Sequence, residues 1–210
     1  MSRQLWLVLA LIAPVLGGCR IVSQQELADL KNPPNPHMAN VAQTWQQSLV
    51  PQVVNEARPA GELMAALRAA PDFDSACQQL GWRSQAENPC VFFVKFSGVV
   101  EKVDTRSRSG KMTLLASDGS RAVVQLGPTI RGTALRDGYR KVSYQDFNDQ
   151  VLFGSYSRAI NDKASAMMKA LAPEPGQQIT VDGVFSAWDT PEQLPDITPA
   201  RATRQQGGQP

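Results

Sequence analysis

Histidine is almost missing from this sequence: His37 is the only one in 210 residues. A Ser–His hydrolase or a zinc hydrolase therefore has a single candidate for its general base or its nitrogen ligand. That candidate follows the proline-rich stretch "KNPPNP", residues 31–36. An excess of charge is lacking too. The chain carries 21 Lys and Arg against 19 Asp and Glu, which gives no electrostatic reason to expect nucleic acid as a partner. Aromatic residues make up 7% of the chain, and few are patterned for a surface, where a single-strand binding face sets them among basic residues. No phosphate-cradling loop is present, because "GPTIRG" lacks the lysine and serine of a P-loop, and the sequence holds no cofactor signature. The leading apolar run, "LWLVLALIAPVL" over residues 5–16, falls short of the roughly 20 residues a membrane-spanning helix needs.

That run nevertheless carries the most specific signal in the chain. Arg3 precedes it, the small residues Gly17 and Gly18 close it, and Cys19 follows. A basic start, a short apolar stretch and a small-residue cleavage site describe a secretory signal peptide. The order Leu16-Gly17-Gly18-Cys19 resembles the lipobox of bacterial lipoproteins, in which the small residues admit the peptidase and the thiol accepts the lipid. Residues 1–18 are thus expected to be removed, and Cys19 to become the acylated N-terminus through which the protein meets the membrane. More than one acyl chain gives stable anchoring where a single chain does not. Arg20, rather than an aspartate, follows the cysteine, and this favours the outer over the inner membrane of a Gram-negative envelope.

Export places the other two thiols, Cys77 and Cys90, in an oxidising compartment, where cysteines separated by a short loop usually pair. Their spacing, "CQQLGWRSQAENPC", does not look like the two-residue spacing of a redox-active pair. Closing such a loop is worth about 3 kcal/mol in the chain-entropy model, and a structural disulfide is the expectation. Metal binding has no support, with one histidine in the chain.

The fold expectation is α+β. Residues 19–36 form a tether, broken by prolines. Residues 37–89 read as a helical subdomain: Val41, Trp45, Leu49 and Val53 recur every four residues, as an amphipathic helix demands, and Pro51 is expected to kink or split it. Two further helices follow in "RPAGELMAALRAA" and "PDFDSACQQLGW". From Cys90 the period becomes two. Phe92, Val94 and Phe96 alternate in a strand bent at Gly98, the Asp118-Gly119 pair turns a hairpin, and three strands make a meander. A short strand is expected near residues 141–144. Phe153, Tyr156, Ile160, Ala164, Met167 and Leu171 mark a long helix that stops before Pro173, and "QQITVDGVFSAW" and "DITPARATR" supply two more strands. Three strands, a helix and two strands is the element order of the OB-fold, a five-stranded Greek-key barrel, here over residues 90–204. Residues 205–210 form a disordered tail.

Between the third strand and the long helix lies a polar connection, residues 129–150, containing Arg131, Arg136, Asp137, Asp146, Asn148 and Gln150. It supports two readings. Arginine forks recognise carboxylates and phosphates, so the connection can be a ligand or partner site. Equally, Arg131 or Arg136 can pair with Asp137 or Asp146, while Asp146 and Asn148 cap the helix that follows. Two functions of different class follow: a non-enzymatic, membrane-tethered accessory or binding module, or an envelope enzyme that uses the carboxylates of this connection.

The lipobox, the Trp45 helix followed by "LVP", the "VKFSGVV" strand, "VQLGPTIRGTALRDG" and "SYQDFNDQV" together resemble the predicted periplasmic lipoproteins of domain-of-unknown-function family 2291. The likeness spans nearly the whole mature chain and is most specific in "GPTIRGTALRDG" and "DFNDQV". One position departs from it: Phe96 stands where the family usually has a small residue, which implies a shallower bend in the first strand. The resemblance implies an envelope address. It also implies a neighbourhood, that of sugar-type ABC importers with periplasmic sugar-binding proteins, but no reaction.

Overall fold

Strand β1 (Cys90–Asp104) organises the molecule, because the unbroken run "CVFFV" is buried on both faces. Phe92, Val94 and Phe96 point into one core and Val91 and Phe93 into another, the pattern of a strand covered on each side. In this computed structural model the described residues are 35–205, together with Ser23, Gln24 and Leu27. Cys19, the leader of residues 1–18, most of the 19–36 tether and the tail beyond Gln205 lie outside them.

Four more long strands build the sheet, β2 (Ser109–Leu115), β3 (Arg121–Pro128), β4 (Gln178–Ala187) and β5 (Thr198–Arg204), and two-residue strands at Arg58–Pro59 and Gly81–Trp82 also pair with β1. Neighbouring long strands run antiparallel in the order β3-β2-β1-β4-β5. The sheet curls until its two edges meet through a parallel bridge between Val124 and Ile197. There Gln125 donates its backbone N–H to the Ile197 carbonyl at 3.0 Å, and Ile197 donates to Val123 at 2.8 Å. The Asp118-Gly119 turn forms as expected, with Gly119 at φ 83°. Gly98 stands where β1 passes from its partner β4 to its partner β2. A Cβ there would come within 2.6 Å of the Leu115 carbonyl oxygen, so only glycine lets the two strands approach this closely.

The helices are placed somewhat differently from the pattern-based expectation. The Val41–Trp45–Leu49–Val53 stripe is buried as one face of a continuous helix, α1, which runs through Val41–Thr44, a π-helical turn at Trp45–Leu49, and Val50–Glu56. Pro51 does not split it. The proline ring would clash with the carbonyl four residues back, at Gln47, and the widened turn falls at that position. Helices α2 (Ala60–Ala69) and α3 (Phe73–Leu80) send Leu63, Met64, Leu67 and Ala76 into the barrel-side core beside Phe92. Asp72 caps α3 by accepting from the Ser75 backbone N–H at 2.7 Å. Cys77 of α3 is bonded to Cys90 at the start of β1, with Cα atoms 5.8 Å apart, inside the usual range.

The connection after β3 holds a short helix, α4 (Ala134–Gly138), that periodicity did not indicate. Where a strand was expected near residues 141–144 there is a turn leading into a 3-10 helix at Tyr144–Asp146. Helix α5 (Gln150–Leu171) follows and ends at Ala172 in the left-handed conformation, φ 44°. It serves both cores: Tyr156, Ile160 and Ala164 join α1 and α4 over the outer face of the sheet, and Met168 joins the barrel side. The helices and the sheet thus belong to one compact unit beginning at His37.

Candidate functional site

The segment "GPTIRG", residues 127–132, leaves β3 and is held from several directions. Gly127 has φ 92°, and a Cβ on it would run into the side chain of Ser165 on α5, so glycine is what lets strand and helix meet. Thr129 donates its backbone N–H to the Arg108 carbonyl at 2.8 Å. Two buried amides hold the next three residues. Gln125 Oε1 accepts from the Arg131 N–H at 2.7 Å, while its Nε2 donates to Thr198 Oγ1 at 2.9 Å and to the Arg131 carbonyl at 3.2 Å. Asn161 of α5 donates to the Gly132 carbonyl at 2.9 Å and the Ile130 carbonyl at 3.4 Å. Backbone groups of a loop pressed against the core are satisfied in this way, and a stiff wall results.

The six residues named from the sequence do not share one network. Arg131 is exposed and gives its Nε to Ser109 Oγ at 3.0 Å. Arg136 lies over the Phe153 ring, 3.8 Å from its centroid, and donates twice to Asp137 Oδ1, at 2.6 and 2.8 Å. Thr133 donates its hydroxyl to the other oxygen of Asp137. The two side chains of this pair are only 13% and 25% exposed. Asp146 accepts from both the backbone N–H and the hydroxyl of Ser143, at 2.7 and 2.9 Å, and these bonds hold its carboxyl below the usual range. Asn148 adopts φ 50°, which asparagine tolerates better than most residues, and Gln150 opens α5 exposed to solvent.

Neither Asp146 nor Asn148 caps the long helix. Asp149 does, accepting from the Leu152 N–H at 2.8 Å. Between them, Phe147 is buried with Phe153 and Tyr156, their ring centroids 5.3 and 5.1 Å away. The stretch "DFNDQV" is therefore a helix-starting device: one carboxylate closes a 3-10 turn, one ring anchors it, one residue reverses the chain and one carboxylate caps. His37 stands against the same rings, 5.5 Å from Phe147 and 6.3 Å from Tyr156. Burial pushes the Tyr156 hydroxyl up to about 12.

Concave space lies elsewhere: a recess of about 380 Å³ beside Cys77, Trp82 and Arg83, and two more, one on either side of Pro128. A cavity of about 510 Å³ is walled by Val103, Leu126, Pro128, Met168 and Pro173, with Thr105, Ser165, Lys169 and Glu174 polar among its lining. This is within the common size range of ligand sites, about 300–1,000 Å³. A second recess, of about 430 Å³, shares Pro128 and is lined by Arg108, Thr129, Ser155, Arg158 and Asp162. None of the six sequence-named residues lines either recess. The residues that do come from the end of β1 and the β1–β2 turn, the end of β3 and the two residues after it, and α5 with the three residues after it. One signal in the sequence pointed to them: Arg158, Asp162, Ser165 and Lys169 follow one another at intervals of four, three and four, a polar stripe on one helix face.

Among the described residues no group of three or more His, Cys, Asp or Glu side chains is placed to hold a metal ion, and no helix is long and apolar enough to cross a membrane.

Among solved structures the chain is similar to an OB-fold protein from Thermotoga maritima, at 14% identity and a TM-score of 0.61, over 80% of this chain and 98% of that one. This shows the fold. Likeness to the OBody NL8 bound to hen egg-white lysozyme, and to the S. pombe Stn1–Ten1 complex, is far weaker. Each is 11% identical, with TM-scores of 0.31 and 0.32. The first comparison covers 55% of this chain and 96% of that one, the second 59% and 69%. No curated protein matches. The model of one family, described as predicted periplasmic lipoprotein (DUF2291), matches residues 8–203; the chain belongs to that family.

Proposed function

We propose that this lipoprotein is a non-enzymatic accessory, a binding module held at the membrane by the lipid on Cys19, with outer-membrane placement favoured by Arg20. The observation that carries this reading is the stiff "GPTIRG" wall with a recess on each side. Such a wall offers a preformed concavity, and a preformed site binds without the cost of ordering a loop. The carboxylates on which an enzyme would draw favour the same reading. Asp137 is engaged by Arg136 and Thr133, Asp146 by Ser143, and His37 packs on aromatic rings. A general acid or base must reach a substrate proton, and each of these groups is turned to a structural task.

The partner implied by the family resemblance is a periplasmic sugar-binding protein of an ABC importer. The test is titration of the purified lipoprotein with a periplasmic sugar-binding protein of such an importer, read by calorimetry, in parallel with a hydrolase screen. Saturable binding without turnover is the expected result. Turnover that disappears in Asp137→Asn or Asp146→Asn would move the protein to the enzyme class. Membrane fractionation of wild type and Cys19→Ala tests the anchor: the wild type should band with outer membrane, and the variant should lose its acyl mass.

A further inference from the structure

The two recesses beside Pro128 differ in chemistry but share a helix. On the Thr129 side, Arg108 from the β1–β2 turn and Arg158 from α5 line the same space with two hydroxyls and one carboxylate, Asp162. The Arg158 guanidinium donates to Ser155 Oγ at 2.7 Å. No hydrogen bond or ion pair engages the Arg108 guanidinium among the described residues. On the Gly127 side the wall is apolar, with Val103, Leu126, Met168 and Pro173, and there Lys169 and Glu174 offset one another. One recess is thus cationic and the other apolar; the two share Pro128 in their lining and both border the Arg158–Lys169 face of α5.

We infer that the two recesses act together across Pro128 as one furrow that binds a single-chain amphiphile with an anionic head, the carboxylate or phosphate held between Arg108 and Arg158 and the chain laid over Leu126 and Met168. The inference rests on the binding-module reading and names its ligand class. Guanidinium forks match carboxylate and phosphate oxygens two at a time, and they lie where only one acid, Asp162, competes for them. Apolar burial supplies the rest, at about fourfold in affinity per methylene removed from water. A lipid-anchored protein also works beside the bilayer, the source of such molecules.

The test uses the full lipoprotein, labelled at the methionine methyls and held in phosphatidylcholine nanodiscs, with the Met168 methyl resonance as reporter. Free probe is fixed by dialysis against empty nanodiscs. Octyl phosphate and octanoate should each shift Met168 saturably, at least tenfold tighter than octanol. Whichever of the two binds better separates a phosphate-headed from a carboxylate-headed ligand. The double variant Arg108→Gln/Arg158→Gln should lose that tenfold advantage at an unchanged melting temperature, since both side chains are exposed, and Arg131→Gln should leave it intact. Equal binding of octanol, or binding of octylammonium as tight as octanoate, would overturn the assignment of the head group. No saturable shift with any probe would overturn the site itself. Retained binding of a protein partner in that case would leave the wider reading standing.

Discussion

Replacing Arg136 with alanine distinguishes a structural polar connection from a recognition surface. The side chain is 13% exposed, its partner Asp137 25%, and four interactions converge on it: two bonds to Asp137 Oδ1 at 2.6 and 2.8 Å, a longer one to the Phe153 carbonyl at 3.4 Å, and the Phe153 ring at 3.8 Å. Breaking a fully buried pair costs about 3–5 kcal/mol because one charge is stranded. Asp137 keeps the Thr133 hydroxyl and some contact with water, which lowers that figure, while loss of the ring contact adds about 1 kcal/mol. The expected loss is about 2–4 kcal/mol. For a unit of this size each kcal/mol moves Tm by about 2–4 °C, so melting should fall by roughly 4–16 °C, with an unchanged m-value in urea. Arg131→Ala, which gives up one exposed bond to Ser109, should cost under about 1 kcal/mol. Asp137→Asn in the Arg136→Ala background should recover part of the loss, because the stranded charge is gone. A loss below about 0.5 kcal/mol for Arg136→Ala would refute the reasoning and return this arginine to the list of recognition groups.

The Cys77–Cys90 bond closes a loop with a sequence separation of 13; Cys77→Ala/Cys90→Ala should lower unfolding free energy by about 2–4 kcal/mol and leave ligand titrations unchanged, and mass mapping that finds both thiols free in periplasmic protein would contradict the pairing. Gly127→Ala should cost about 2–4 kcal/mol, from φ 92° and the collision with Ser165; adding Ser165→Gly should relieve the collision but not the backbone strain, a split readable in chemical denaturation. Asp104 is held at about 2 chiefly by its hydrogen bonds from Arg106, and Asp146 and Glu101 are also lowered, by Ser143 and Arg121. A lowered carboxylate contributes stability that is present above its unfolded pKa, about 4, and is lost as pH falls through the folded value. The urea midpoint should therefore decline from about pH 4 downward, and a decline centred near neutrality would contradict this assignment.

How far the fold was legible depends on how local its causes are. The five long strands of the sheet were readable because alternation and the Asp118-Gly119 turn state their own burial, whereas the burial of "CVFFV" on both faces was not foreseen from its alternation. Pro51 misled because its consequence was absorbed by a widened turn around Gln47, which no periodicity displays. The polar connection was ambiguous for a chemical reason: the residues that cap helices and hold turns, aspartate, asparagine and arginine, are the ones that bind ligands. Only the partners tell them apart, here Ser143 for Asp146 and Arg136 with Thr133 for Asp137. Apart from the polar stripe on α5, the recesses leave no mark in the sequence, for a different reason. Val103, Arg108, Leu126, Arg158 and Met168 are brought together only by the curl of the sheet and the passage of α5 across it.

The stretches that carry the family resemblance supply the wall shared by the recesses, Leu126 to Ile130, but not the charged residues that line them. Gly127 permits the close approach of β3 to α5, Gln125 secures the wall from within the sheet, and Asp149 starts the helix; these are tasks of construction, and they lie within or beside "GPTIRGTALRDG" and "DFNDQV". Arg108 and Arg158, which give the furrow its cationic end, lie outside both stretches. A motif of this kind specifies a wall and its angle to the long helix, and leaves open what the wall faces. Two proteins sharing the motif can then hold the same furrow with different charges along it, and it is the arginines of the β1–β2 turn and of α5, rather than those of the motif, that decide which head group is admitted.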